Sequence, residues 1–131
     1  MILLDTHVWR WWVAGDVHLE GWQRARIEAE RPSGIHVSVI SCWEMTKAVE
    51  TRNLVLAVPV AEWLDAALSD PDVHLVPLTP EICVESCRLP RPVHKDPGDQ
   101  IIIATARVED FELMTSDAQI LGYPHVKLAR P

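Results

Sequence analysis

The 131-residue chain is short of several things at once. It has three cysteines, an odd number without regular spacing, so a disulfide scaffold is not expected. No apolar stretch approaches the roughly 18 residues that a membrane span requires. The N-terminus shows no basic region followed by an apolar stretch and a small-residue cleavage site. No secretory signal is therefore expected, and a reducing cytoplasm is the expected compartment. Internal repeats and low-complexity segments are absent, and no linker is long enough to divide the chain. One domain over residues 1–131 is the expectation. The most consequential shortage is positive charge: 12 Lys and Arg stand against 19 Asp and Glu, a formal net charge of −7. A protein that simply coats nucleic acid needs Lys and Arg for phosphate contacts, so that class is excluded. A small acidic centre working through a metal is not.

What is present is enough for a core. The chain is 48% hydrophobic and 24% charged, which excludes a disordered polymer. Met1-Ile2-Leu3-Leu4 is a short apolar run stopping at Asp5, the pattern of a buried strand. Val8, Trp9, Trp12 and Val13 fall at helical spacing over 6–14, and Gly15-Asp16 ends them. A polar helix is expected over 18–30, a strand over 35–38 and a helix from Ser41 to about Thr51. A further helix is expected near 61–69 and a strand over 73–76. Thr79-Pro80-Glu81 opens another helix, with Thr as N-cap and Pro at the first position. Residues 97–109 are apolar nearly all round, predicting a central buried helix. A short strand over 112–115, a helix over 117–121 and a last strand over 126–128 complete the chain. Strands alternate with helices and no tight hairpin signal appears, so the class is α/β with a parallel sheet.

Four acids stand out by position: Asp5, Glu44, Asp99 and Asp117. Each has an ordinary structural role open to it. Ser41-x-x-Glu44 has the spacing of a capping box. Asp96 before Pro97 has the form of an N-cap, which puts Asp99 in the first helical turn, where an acid complements the helix dipole. Asp117 can cap the helix after it, and Asp5 can be a surface acid at a strand exit. Their joint placement points elsewhere. In open parallel sheets ligands sit outside the carboxyl ends of the strands. Asp5 and Asp117 are expected at such ends, and Glu44 and Asp99 in first turns of helices that begin on the same edge.

Gathering four carboxylates is costly unless a cation neutralises them, because like charges raise one another's pKa values. Mg²⁺ and Mn²⁺ favour oxygen ligands from a few carboxylates plus water. Such an ion lowers the pKa of bound water and stabilises charge on a phosphoryl oxygen. Water attack on a phosphodiester is the chemistry that fits.

Leu3-Leu4-Asp5-Thr6-His7, Ser38-x-x-Ser41-x-x-Glu44, Asp96-Pro97-Gly98-Asp99-Gln100-Ile101-Ile102-Ile103-Ala104-Thr105-Ala106 and Thr115-Ser116-Asp117 together resemble a PIN domain. More narrowly, they resemble the VapC-type toxins of bacterial toxin–antitoxin pairs. The resemblance runs from residue 3 to about residue 128. It implies a three-layer α/β/α fold with a central parallel sheet of about four to five strands. It also implies a Mg²⁺- or Mn²⁺-dependent ribonuclease, with Asp5, Glu44, Asp99 and Asp117 as both catalytic and metal-holding set. A homodimer and a cognate antitoxin protein are further implications. Asp5 and Asp99 are expected to hold the main ion, Asp117 to complete the shell, and Glu44 to orient a water or a second ion. Thr6, Ser116, Asp96, Lys95 and Arg91 are the expected substrate-positioning residues. Two positions depart from the subgroup that carries Asp-Pro here: Gly98 stands in place of an aromatic and Gln100 in place of arginine.

Six of the eight aromatics are Trp, three of them within residues 9–12, and packing or partner contact is favoured for them over base stacking. Trp43 is expected to face away from Glu44, into the core or a dimer contact. His7 reads as an orienting residue rather than a general base. The remaining histidines, 18, 36, 74, 94 and 125, form no metal spacing. Arg88 to Lys95 is a local basic run that either draws RNA phosphate or is a solvated loop. The three cysteines are expected to be small, mostly buried residues. A phosphatase of the haloacid-dehalogenase type needs a second Asp where His7 stands. A response-regulator receiver needs a Lys after a late strand, and residues 112–117 offer none. A PIN-like scaffold that only binds RNA or protein is the remaining alternative.

Overall fold

The computed structural model describes residues 1–131. Four strands and seven α-helices alternate along the chain. They are β1 (Ile2–Leu4), α1 (Thr6–Ala14), α2 (Gly21–Glu30), β2 (Ile35–Ser38), α3 (Val39–Glu50), α4 (Val60–Leu68), β3 (Val73–Val76), α5 (Pro80–Ser86), α6 (Pro97–Glu109), β4 (Glu112–Met114) and α7 (Ala118–Leu121). The strands form one sheet in the order β3-β2-β1-β4, every pairing parallel. β1 is central, with Leu3 in register with His36 on one side and Leu113 on the other.

The period-two alternation of β1 divides the core into two layers. Ile2 and Leu4 point into one cluster, with Val8, Trp9 and Trp12 of α1, Ile27 of α2, Met45 of α3 and Ala67 of α4. Leu3 points the other way, into a cluster with Ile82 of α5, Ile102, Ile103 and Ala106 of α6, and Ile120 of α7. Helices α1–α4 therefore cover one face and α5–α7 the other. This is the three-layer α/β/α arrangement, and it explains why β1 is apolar at every position. α6 contributes five consecutive buried residues, Ile102 to Ala106, in line with its nearly uniform apolar sequence.

Several expectations are corrected. α2 begins at Gly21 rather than residue 18, after Glu20, whose side chain and Gln23 form a reciprocal capping box. α3 begins at Val39, capped by Ser38, whose hydroxyl accepts from the Ile40 N–H. Ser41-x-x-Glu44 is therefore no capping box, and Glu44 lies in the second turn. The last strand shrinks to one parallel bridge between Leu113 and Leu128, bracketed by Pro124 and Pro131, which lack the N–H that a ladder needs. Cys83 on α5 and Cys87 just after it are exposed, since that short helix turns only Ile82 and Glu85 inward, and Cys42 is half-buried. Trp9 is fully buried and meets Trp63 edge-on at 5.1 Å, whereas Val13 and Trp43 are exposed. No helix is long and apolar enough to cross a membrane.

Candidate active site

Each carboxylate of interest is placed by a local rule of chain geometry at the carboxyl edge of the sheet. Asp5 follows β1 and is the N-cap of α1, accepting the Thr6 N–H through Oδ1 at 2.9 Å. Its Oδ2 accepts the Thr115 hydroxyl at 2.7 Å, so a nearly inaccessible carboxylate is satisfied on both oxygens. Asp117 follows β4 and caps α7, accepting the N–H groups of Gln119 and Ile120. Asp96 caps α6 through the Asp99 N–H at 3.1 Å, with Pro97 at the first helical position. Capping and clustering thus coincide: the geometry that caps these helices also aims their carboxylates at one edge.

Glu44 arrives from within α3. Its Oε1 accepts the Thr6 hydroxyl at 2.6 Å, and that hydroxyl also lies 2.8 Å from Ser41 Oγ. Gly98 makes room for it: a Cβ at residue 98 would lie 2.7 Å from Glu44 Oε2 and 3.2 Å from Asp96 Oδ1. The departure at residue 98 thus has a structural consequence, since it lets Glu44 press against the start of α6.

Asp99 is where the charge converges. Burial, followed by the carboxylates of Asp5, Asp96, Glu44 and Asp117, pushes its pKa up to about 7. Glu44 is also raised, chiefly by burial, with Asp5 and Asp96 adding to it and the Thr6 hydroxyl opposing. Ligand atoms of Glu44, Asp96 and Asp99 all lie within 4.8 Å of one another, as do those of His94, Asp99 and Asp117. A donor set dominated by carboxylate oxygen, strained by self-repulsion and overlapping at Asp99, suits a hard divalent cation.

Two histidines border this centre. His7 Nε2 accepts the Ser116 N–H at 3.0 Å, so the neutral ring carries its proton on Nδ1, 3.6 Å from Asp5 Oδ2. Its Nε2 is thereby committed to structure, which favours the orienting role. His94 belongs to the centre, contrary to the expectation of scattered histidines, with Nε2 3.2 Å from Asp99 Oδ2 and 3.9 Å from Asp117 Oδ2. Its faint sequence signal is its place two residues before the cap Asp96, mirroring His7 two residues after the cap Asp5.

The positioning candidates divide. Thr6 touches Glu44 directly. Ser116 does not reach a carboxylate: its hydroxyl accepts from Gln23 Nε2 at 3.1 Å, and the hydroxyl on Asp5 is that of Thr115. Arg91 and Lys95 are exposed on the loop before α6, and neither pairs with an acid. Arg88, the first cation of that basic run, is bound to Glu85 at 2.8 Å.

The PIN domain family model matches residues 2–125. Ribonuclease VapC22 of Mycobacterium tuberculosis is 32% identical over 124 residues, covering 95% of this chain and 92% of that protein. Among solved structures, VapBC2 from Rickettsia felis bound to a DNA fragment from its promoter is similar in fold, with a TM-score of 0.74 at 17% identity over 98% of each chain. The sarcin–ricin-loop-cleaving toxin VapC20 of Mycobacterium tuberculosis has a TM-score of 0.64 at 18% identity, covering 97% of this chain and 99% of that one.

Proposed function

The chain belongs to the PIN domain family, and on that premise we propose that it is a metal-dependent endoribonuclease of the VapC toxin type, restrained by a cognate antitoxin. One observation carries the reading: ligand atoms of Glu44, Asp96 and Asp99, and of His94, Asp99 and Asp117, lie within 4.8 Å of one another, where burial, followed by the carboxylates of Asp5, Asp96, Glu44 and Asp117, pushes the Asp99 pKa up to about 7. A divalent cation at this edge would offset the repulsion among these carboxylates. The kinship with a ribonuclease supports the same chemistry.

In this reading Asp99 and Asp117 would hold Mg²⁺ or Mn²⁺ with Glu44 beside them, and Asp5, which lies outside both groups of close ligand atoms, would complete the set. When bound, such an ion would supply charge stabilisation at a phosphoryl oxygen and increase the acidity of water. The protein's own groups do the rest. Thr115 and the Thr6 N–H fix Asp5 in one orientation. The Thr6 hydroxyl occupies Glu44 Oε1 and leaves Oε2 to orient the attacking water and take its proton. The raised pKa of Glu44 suits that second task. Asp96 fixes the start of α6 and hence Asp99. Arg91 and Lys95, the free cations nearest in sequence to Asp99, meet the RNA backbone.

The acid excess then fits an RNA-cutting protein. Setting aside Asp5, Glu44, Asp99 and Asp117 changes the net charge from −7 to −3, and a cation offsets part of the rest. Affinity for RNA is expected to be weak and ion-dependent, as suits a residual negative charge. A homodimer acting in the cytoplasm as a single PIN domain over residues 1–131 completes the proposal. Asp5→Asn keeps the cap and should abolish cleavage of RNA while leaving the circular dichroism spectrum unchanged. Full residual cleavage by folded Asp5→Asn protein would remove Asp5 from the catalytic set.

A further inference from the structure

The loop before α6 and the helix α7 border a cleft of about 630 Å³ that the chemistry above leaves unused. One nucleotide fits such a space, since small-molecule pockets run from about 300 to 1,000 Å³. Pro92, Val93 and Pro124 give the cleft apolar walls, Gln119 brings an amide and Lys95 a cation. No acid lines it, in a chain of net charge −7. Other clefts differ: one over α5 and α6 is lined by Glu81, Glu85 and Asp110, and one between α1, α2 and α4 by Glu28 and Asp70. Gln119 is exposed. Its backbone N–H is spent on Asp117 Oδ1 at 2.8 Å, and its side-chain amide bonds to nothing in the chain.

The cleft adjoins the acidic centre. His94 lines it, and the Nε2 of the same ring lies 3.2 Å from Asp99 Oδ2 and 3.9 Å from Asp117 Oδ2. Ala118, one residue after Asp117, lines it too. The loop wall is tied down at two points. The Tyr123 hydroxyl donates to the Pro90 carbonyl at 2.7 Å, and Gln100 Nε2 donates to the His94 carbonyl at 2.7 Å. A wall already in place loses little freedom when a ligand arrives.

We propose that this cleft seats the base of the RNA nucleotide next to the scissile bond, with Gln119 reading the base edge and Lys95 meeting the nucleotide's phosphate. The proposal rests on the ribonuclease reading above and deepens it. Single-stranded RNA is recognised through splayed-out bases that lie against side chains and hydrogen-bond along their edges. Walls of proline and valine accept the face of any base. A glutamine amide offers both donors and an acceptor, so it can tell one edge from another. The carboxylates of the centre repel a polyanion, whereas an acid-free cleft with a lysine can hold one without an ion. Only the imidazole of His94 separates the cleft from Asp99, so a nucleotide seated there brings its sugar and phosphate to the acidic edge.

The test titrates AMP, CMP, GMP and UMP, with ribose 5-phosphate as the base-free control, into ¹⁵N-labelled protein in chelator. At least one nucleotide should shift the amide signals of Val93, Lys95 and Gln119, the Gln119 side chain included, and bind more tightly than ribose 5-phosphate. Gln119→Ala should weaken that nucleotide about three- to tenfold, as loss of one hydrogen bond would, and narrow the spread among the nucleotides. Lys95→Gln should weaken the nucleotides and ribose 5-phosphate alike. With Mg²⁺, cuts mapped in RNA of random sequence should show a base preference at one position beside the bond, which Gln119→Ala relaxes. Ribose 5-phosphate binding as tightly as every nucleotide overturns the base site. Nucleotide shifts that miss the cleft, or no shifts at all, overturn the cleft as the place and leave it to a protein segment. A spread unchanged in Gln119→Ala overturns the reading role of Gln119. Unaltered protein that cleaves no RNA with Mg²⁺ or Mn²⁺ defeats the ribonuclease reading, while the titration in chelator still decides whether the cleft takes a base.

Discussion

Replacing Asp99 by asparagine isolates the electrostatic strain on which the account depends. In the folded chain its pKa stands at about 7 against an ordinary 3.8. That rise corresponds to on the order of 4 kcal/mol between the protonation states. Only 16% of the side chain is exposed, so solvent screens little of it. The sign follows from proton linkage. Between the two pKa values the folded chain keeps a proton that the unfolded chain has released, so stability falls as pH rises. Without metal, the cost is absent below about pH 4 and complete above about pH 7. Asparagine never ionises and retains a carbonyl oxygen to face His94. Asp99→Asn should therefore melt with the unaltered protein near pH 4 and above it at pH 8, by about 10 °C for a chain of this length. Thermal unfolding in chelator, followed by tryptophan fluorescence across that range, measures it. Adding Mg²⁺ at pH 8 should raise the melting temperature of the unaltered protein and barely move the variant. Melting curves that coincide at pH 8 in chelator would refute the claim that Asp99 is strained.

Three other perturbations follow. Gly98→Ala places a methyl group 2.7 Å from the present position of Glu44 Oε2. Because that atom ends a flexible side chain, Glu44 should swing away: cleavage falls about tenfold, while stability holds or rises by up to about 1 kcal/mol from the better helix former. Steady-state kinetics and melting curves separate the two effects. Thr115→Val removes the hydroxyl from Asp5 Oδ2 in a buried setting. A loss of about 1–3 kcal/mol in urea unfolding is expected. Reversing charge at Arg91 and Lys95 together should weaken RNA binding and flatten the plot of log affinity against log salt by about 1–2 units, if both meet phosphates. An unchanged salt slope would make them a solvated loop.

Much of this was legible along the chain because the informative residues sit where a period stops. The apolar run 1–4 ends at Asp5, and α1 and β2 begin as their patterns suggest. The start of α3 was not legible, because Ser38 and Ser41 both suit an N-cap and Val39 and Ile40 are β-branched residues that favour a strand. Only the turn of the backbone after Ser38 decides it, and that moves Glu44 from the end of a helix to its side. Thr115 and Ser116 could not be ranked, since which hydroxyl reaches Asp5 depends on the path of the chain after β4. His94 stayed hidden for a similar reason. Its partners come from α6 and from the turn after β4, and no local spacing shows that the loop folds between them. The exposure of Cys83 and Cys87 likewise depends on how a seven-residue helix meets α6.

In the proposed reaction this acidic edge directs water at an RNA phosphodiester with the help of a divalent ion. Cleavage of RNA in ¹⁸O-labelled water, with Mg²⁺ or Mn²⁺ and separately in chelator, tests it most directly. Labelled terminal phosphates are expected in the presence of the ion, and intact RNA in chelator. Unlabelled 2′,3′-cyclic phosphate ends, formed equally well in chelator, would contradict it.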